Sequence, residues 1–192
     1  MQAAGQIEIS EQDYLDGEEL AQIKHEYVAG QVFAMAGTSK NHGRIVGNLH
    51  AALHGRLRGG PCEAFVADLK VRIRRGPAYY YPDLVVTCDP RDKAADSPTH
   101  FLEHPSCIIE VLSPTTERTD RLEKLMAYRH IPELSEYVLV DQERRWVEIY
   151  RRTDKGWLHV ALGPGDDLAL ESVGVSLTLE QVYESTGVTQ RL

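Results

Sequence analysis

Two carboxylates and one lysine, far apart along the chain, have the types and local settings for hydrolysis at a phosphate. Asp83 opens one apolar run, Pro82-Asp83-Leu84-Val85-Val86-Thr87-Cys88, and Glu110 is the one acid inside another, Cys107-Ile108-Ile109-Glu110-Val111-Leu112. Alternate residues of a strand share a face, so Asp83 groups with Val85 and Thr87, and Glu110 with Ile108 and Leu112. If the two strands are neighbours, both acids converge at one edge of the sheet. Adjacent carboxylates repel, and burial disfavours their charged forms. A hard divalent cation such as Mg²⁺ relieves both effects, because it prefers carboxylate oxygens and leaves positions for a phosphate. A nearby lysine orients or deprotonates the attacking water and offsets developing negative charge.

Lys124 is the candidate lysine. Ser113-Pro114 stops the Glu110 strand, since proline lacks an N–H and restricts the residue before it. Thr115 or Thr116 caps the helix that follows, which carries Asp120, Lys124 and Tyr128 at i, i+4 and i+8, near one face. The plainer reading is a strand acid bonded to backbone or paired with a base, beside a solvated helix lysine.

The elements that must position these groups follow from pattern. Ser10 caps a short amphipathic helix through Tyr14, Leu15 and Leu20. His25 to Met35 reads as two strands around an Ala29-Gly30 turn. A helix capped by Thr38, Ser39 or Asn41 runs to about Leu57, with Ile45, Val46, Leu49, Ala52, Leu53 and Leu57 as its apolar stripe. Phe65-Val66 and a half-exposed strand over residues 69–74 follow, then the Asp83 strand, with proline tolerated at its edge. Residues 89–105 are polar and Pro-rich and read as loop. Three strands after Pro132 form a meander, and a hairpin and short helix near Leu179 close the chain. Strands and helices interleave without regular βαβ repetition, which predicts a mixed α+β architecture, a mixed β-sheet flanked by helices, in a single domain over residues 1–192.

Composition narrows the function classes. At 192 residues and 42% hydrophobic, the chain suffices for one well-buried domain. No apolar window reaches the roughly 18 residues of a membrane span, and the N-terminus lacks the basic flank and apolar core of a signal peptide. The formal charge of −8 argues against a broadly basic nucleic-acid binder, while leaving room for locally concentrated basic groups. Arg72, Arg74 and Arg75, and Arg144, Arg145, Arg151 and Arg152, read as ordinary strand and turn positions. Cys62, Cys88 and Cys107 fit no zinc spacing, and Cys88 and Cys107, which sit in apolar runs, read as reduced core residues of a cytoplasmic protein.

Other signals are weak. His50 and His54 are spaced i, i+4, yet Ala51 stands where a zincin helix needs glutamate. His100 and His104 lie in a loop with no accompanying ligands. Tyr79-Tyr80-Tyr81 could stack on bases, but an aromatic run entering a strand reads more simply as packing. Asp68 and Lys70 could reach a phosphate without taking part in catalysis.

Together, YYYPDLVVTCD, IIEVLSPTTERTDRLEKLMAYR and the SEYVLVD strand carry a resemblance, extended upstream by IKHEYVAGQVFAMAG and a helix opening near His42. Over residues 10–185 the chain resembles the Uma-two family of restriction-endonuclease-like proteins, in the PD-(D/E)XK nuclease superfamily. The resemblance implies a restriction-endonuclease-like core with an N-terminal hairpin and a C-terminal β-meander. It also implies a Mg²⁺-dependent endonuclease (Mn²⁺ substituting) acting on DNA, with Asp83 and Glu110 as metal ligands. The lysine that the superfamily carries two residues after the glutamate is Leu112 here, and Lys124 on the next helix matches its relocated counterpart. Glu26 and His42 join the site as further candidates. A C2 homodimer would present two equivalent sites to two strands. The alternative is a catalytically inactive domain of the same fold that binds nucleic acid or a protein partner.

Overall fold

Ser10 starts the first helix as expected: its hydroxyl oxygen accepts the Asp13 N–H at 3.1 Å, and α1 spans Glu11–Leu20. The computed structural model describes residues 8–35, 37–66 and 68–188. Strands β1 (His25–Val28) and β2 (Gln31–Ala34) form an antiparallel hairpin. Its turn residues Ala29 and Gly30 take φ of 45° and 88°, the backbone twist that matches flanking strands. Ser39 caps α2 (Lys40–Leu57) by accepting the His42 N–H, and Ile45, Leu49, Leu53 and Leu57 form its buried stripe.

The strands that follow are β3 (Glu63–Val66), β4 (Lys70–Ile73), β5 (Ala78–Tyr80) and β6 (Leu84–Thr87). Next come β7 (Phe101–Leu102), β8 (Pro105–Leu112), β9 (Glu136–Asp141), β10 (Val147–Thr153) and β11 (Gly156–Leu162). A hairpin of β12 (Asp167–Leu170) and β13 (Val175–Thr178) precedes α4 (Leu179–Val182). One sheet runs β11-β10-β9-β8-β6-β3, and a second runs β2-β1-β5-β4-β7.

Strand β8 is the hinge of this layout. It pairs antiparallel with β6 (Leu84↔Ile109, Val85↔Ile108) and parallel with β9 (Ile108↔Tyr137, Glu110↔Leu139). Parallel neighbours need a crossover connection. Here the crossover holds a π-helical turn, Thr119–Lys124, and α3 (Leu125–Tyr128). Leu84, Val86, Ile109 and Val111 pack with α2 on one face of the sheet. Val85, Ile108, Leu112, Tyr137 and Leu139 pack with Leu125 and Tyr128 on the other. Buried on both faces, β8 reads as a near-continuous apolar run, and Glu110 is its exception.

The structure departs from the sequence reading at four places. Strand β4 is mostly buried, because β5 and β7 flank it and Val71 and Ile73 join the core. The presumed loop of residues 89–105 contributes β7, which pairs parallel with β4. Ser113, and not a threonine, bonds the first turn after β8: its hydroxyl oxygen accepts the Thr116 N–H at 3.2 Å. Cys62 and Cys88 are joined by a disulfide, which corrects the expectation of reduced thiols; Cys107 is the buried free cysteine. The cause is register, since Glu63 pairs with Thr87 and the next residue out on each strand is a cysteine. Tyr79, Tyr80 and Tyr81 are all buried, so the run serves packing.

Closing a loop of 26 residues, the bridge should stabilise the fold by about 3 kcal/mol through the unfolded state. A Cys62→Ser/Cys88→Ser variant should lose about that much in urea unfolding. Under denaturing conditions, alkylation should label Cys107 alone without reductant and all three cysteines with it. Full labelling without reductant would show that the bridge does not form.

Candidate functional site

Asp83 immediately precedes β6, and the β6–β8 register sets it beside Glu110, on the same side of the sheet. The two residues clasp each other across the strands. Asp83 Oδ2 accepts the Val111 N–H at 2.7 Å, and the Asp83 N–H donates to Glu110 Oε2 at 3.3 Å. His42, in the first turn of α2, places Nε2 3.2 Å from Asp83 Oδ2. That helix end is anchored by a Ser39 hydroxyl bond to Gln142, whose amide donates to the Leu112 carbonyl at 2.8 Å.

The crossover folds back over the sheet and delivers Lys124. Its Nζ lies 2.9 Å from Glu26 Oε1, 3.1 Å from Glu110 Oε1 and 3.2 Å from Asp120 Oδ1. The Tyr128 hydroxyl donates to Glu110 Oε1 at 3.3 Å, and the Tyr80 ring centroid is 5.5 Å from Nζ. Glu26 arrives on β1, through the pairing of Tyr27 with Tyr79, and its Oε1 accepts the Tyr81 N–H at 3.3 Å. Lys124, Glu110 and Asp120 are only 5%, 3% and 2% exposed, whereas Asp83, His42 and Glu26 keep partial access to solvent.

Electrostatics here are set by crowding. Burial pushes the Glu110 carboxyl well above its ordinary range; Lys124 pulls it back, and Asp120, Asp83 and Glu26 push it further up. Burial alone would lower the Lys124 pKa, but Glu110, Glu26 and Asp120 outweigh it and hold the ammonium charged. Burial likewise raises the hydroxyls of Tyr128 and Tyr137, and takes Tyr80 to about 12. Glu26, Glu110 and Asp120 thus gather around a single lysine, with Asp83 beside Glu110, and carboxylates outnumber the ammonium.

That deficit, with the hard-oxygen donor set of Asp83 and Glu110, fits a divalent cation of the Mg²⁺ type, which commonly takes one or two protein carboxylates. A tighter trio, Asp89, His104 and Glu133, lies elsewhere, so His104 does have companion ligand types. Its cation is already present: Arg91 reaches Asp89 Oδ2 at 2.6 Å and Glu133 Oε1 at 2.7 Å. The Arg91 bond holds the Asp89 carboxyl well below its usual range, as an ion pair does. That trio is an ion-paired surface cluster.

The structure brings Asp83, Glu110, Lys124, Glu26 and His42 into one connected cluster and adds Asp120 and Tyr128, both of which the helical spacing marks. Tyr81 and Tyr137, which hold Glu26 and the crossover, carry no local signal, because their roles come from pairing between distant strands. Asp68 is exposed, and Lys70 is buried against the Tyr81 hydroxyl at 3.3 Å, so neither joins the carboxylates.

The fold is that of a restriction-endonuclease-like protein. A family model described as "Uma2: Putative restriction endonuclease" matches residues 11–180, and the chain belongs to that family. Two relatives come from Synechocystis sp. (strain ATCC 27184 / PCC 6803 / Kazusa). The uncharacterized protein slr1290 is 40% identical over 176 residues, 91% of either chain. The uncharacterized protein sll1609 is 37% identical over 147 residues, 76% of this chain and 82% of the relative. The fold is shared with a crystal structure titled as "a putative nuclease belonging to DUF820" from Anabaena variabilis ATCC 29413. It has a TM-score of 0.71 and 18% identity, over 85% of this chain and 91% of that one.

Removing the ammonium should leave buried carboxylates uncompensated. Lys124→Met is expected to cost about 3–5 kcal/mol in chelator, with partial recovery on adding Mg²⁺, read by denaturant unfolding. A stability equal to wild type would refute the charge argument. Glu110 also predicts a pH trend in chelator, because its proton is held more tightly in the fold. The stability this contributes is complete below its ordinary value near 4.5 and is lost as pH rises through the folded value. Glu110→Gln should flatten that decline, and an identical slope would count against it.

Proposed function

We propose that this chain is a Mg²⁺-dependent endonuclease that hydrolyses phosphodiester bonds of DNA. The observation that carries the reading is the convergence of Asp83, Glu110 and a buried, charged Lys124 on one pocket although Leu112 stands in the usual lysine position. Asp83 and Glu110 are the residues that would hold the cation, with Mn²⁺ able to substitute. When bound, the cation supplies Lewis-acid charge to a phosphoryl oxygen and lowers the pKa of water.

The chain's own groups account for the rest. Because Lys124 is held charged, its part is to offset negative charge developing on the phosphate, rather than to remove a proton. Glu26 and Asp120 keep the ammonium in place, and His42 steers the Asp83 carboxylate. The partial exposure of Asp83, Glu26 and His42 marks the side from which a phosphate enters. There the N-terminal turns of the 18-residue α2 carry exposed Lys40 and Arg44 beside His42, and a helix N-terminus favours anions. This local patch suits a chain whose overall charge is −8. A non-catalytic role in binding nucleic acid is the second reading, favoured by Leu112 itself.

Plasmid cleavage separates the two. With Mg²⁺, Asp83→Ala, Glu110→Ala and Lys124→Ala should each lose at least about 10²-fold in rate, while Asp89→Ala, in the surface trio, should retain wild-type cleavage. Equal residual cleavage by wild type and all three site variants would remove the enzyme reading.

A further inference from the structure

We propose that Tyr137 is a positioning residue for the Lys124 ammonium, its hydroxyl latching the wide helical turn Thr119–Lys124 to the sheet that carries Glu110. The inference rests on Lys124 being the working cation of the nuclease reading. It begins from the helix geometry. In an α-helix, side chains four apart are offset by roughly 40°, so Asp120 and Tyr128 would diverge by roughly 80° about the axis. A turn closed by i→i+5 bonds takes more residues per revolution, so a four-residue step falls short of a full circle and the offset reverses. The π turn before α3 thereby cancels the drift. Lys124 and Tyr128 both reach Glu110 Oε1, while Asp120 Oδ1 stays 3.2 Å from the ammonium.

Such a turn is less favourable than the α form and recurs at functional sites, so a contact from outside the helix has to hold it. Tyr137 supplies one. Its hydroxyl donates to the backbone carbonyl of Asp120 at 3.0 Å, in a fully buried setting. Tyr137 stands opposite Ile108 on β9 and shares the face of Glu110. Its ring is wedged between Tyr128 and Tyr150, with centroids 5.2 Å and 6.4 Å away. The hydroxyl, on the strand next to that of Glu110, therefore fixes the distance between the sheet and the turn that bears Lys124. Relaxing the turn to α would shift the residues beyond it by one position, roughly 100° about the axis, and carry the ammonium away from the carboxylates.

Tyr137→Phe keeps the ring and removes the latch. Lys124 should give a resolved, slowly exchanging ¹⁵N ammonium signal in wild type that is displaced or broadened beyond detection in the folded variant. The cleavage kcat should fall at least about tenfold while KM for DNA stays within about twofold. An unchanged Lys124 signal in Tyr137→Phe overturns the proposal whatever the rate, as does the absence of such a signal in wild type. Should the variant not fold, the wild-type Tyr137 hydroxyl proton is the second measurement. A resolved, slowly exchanging signal with a nuclear Overhauser contact to the Arg121 amide supports the latch, and absence of that contact overturns it. Absence of cleavage by wild type would end the nuclease reading but leave the ammonium measurement standing.

Discussion

One buried ammonium holds together the part of this molecule where the carboxylates converge. Lys124 is the shared partner of Glu26 from the first hairpin, Glu110 from the central strand and Asp120 from its own crossover. The first hairpin is thereby tied by one charge to acids of a strand and crossover that lie more than 80 residues beyond Glu26 along the chain. Burying ions is expensive, and apolar side chains of the same volume would often serve stability as well or better. The arrangement therefore makes sense as a device for holding carboxylates where they would otherwise repel, in a protein that belongs to a restriction-endonuclease family.

The surrounding fold serves this cluster. Strand β8 is sheathed by apolar residues on both faces, so Glu110 cannot turn to water for relief. The parallel pairing of β8 with β9 requires a crossover, and the crossover is what brings a lysine over the sheet. Helix α2 adds His42 from the opposite direction, with its own end tied through Gln142 to the last residue of β8. Access is graded: Asp120, Glu110 and Lys124 lie deepest, and Asp83 stands nearest to solvent.

Much of this was legible in the sequence wherever the signal was local. Strand alternation placed Asp83 and Glu110 on matching faces, and helical spacing put Asp120, Lys124 and Tyr128 on one side of the crossover. Cap chemistry located α1 and α2 to within a residue or two. Features that depend on which distant strands pair were not legible. Glu26 reaches the pocket only because β1 lies against β5, and Cys62 meets Cys88 only because β3 lies against β6. The resemblance alone anticipated the first contact, and nothing in the sequence reading anticipated the second. The π turn was invisible for another reason: side chains four residues apart lie close together in either kind of turn, so the pattern does not distinguish them.

Strand β6 is fastened at its two extremities by bonds of different character. At the far end, the Cys62–Cys88 bridge ties it to β3; at the near end, the Asp83 carboxylate grips the Val111 amide of β8. In reducing surroundings the covalent fastening is lost and the electrostatic one carries the strand's alignment by itself. The carboxylate proposed as a metal ligand would then also be a structural rivet, and the alignment of β6 on β8 would rest on that single grip.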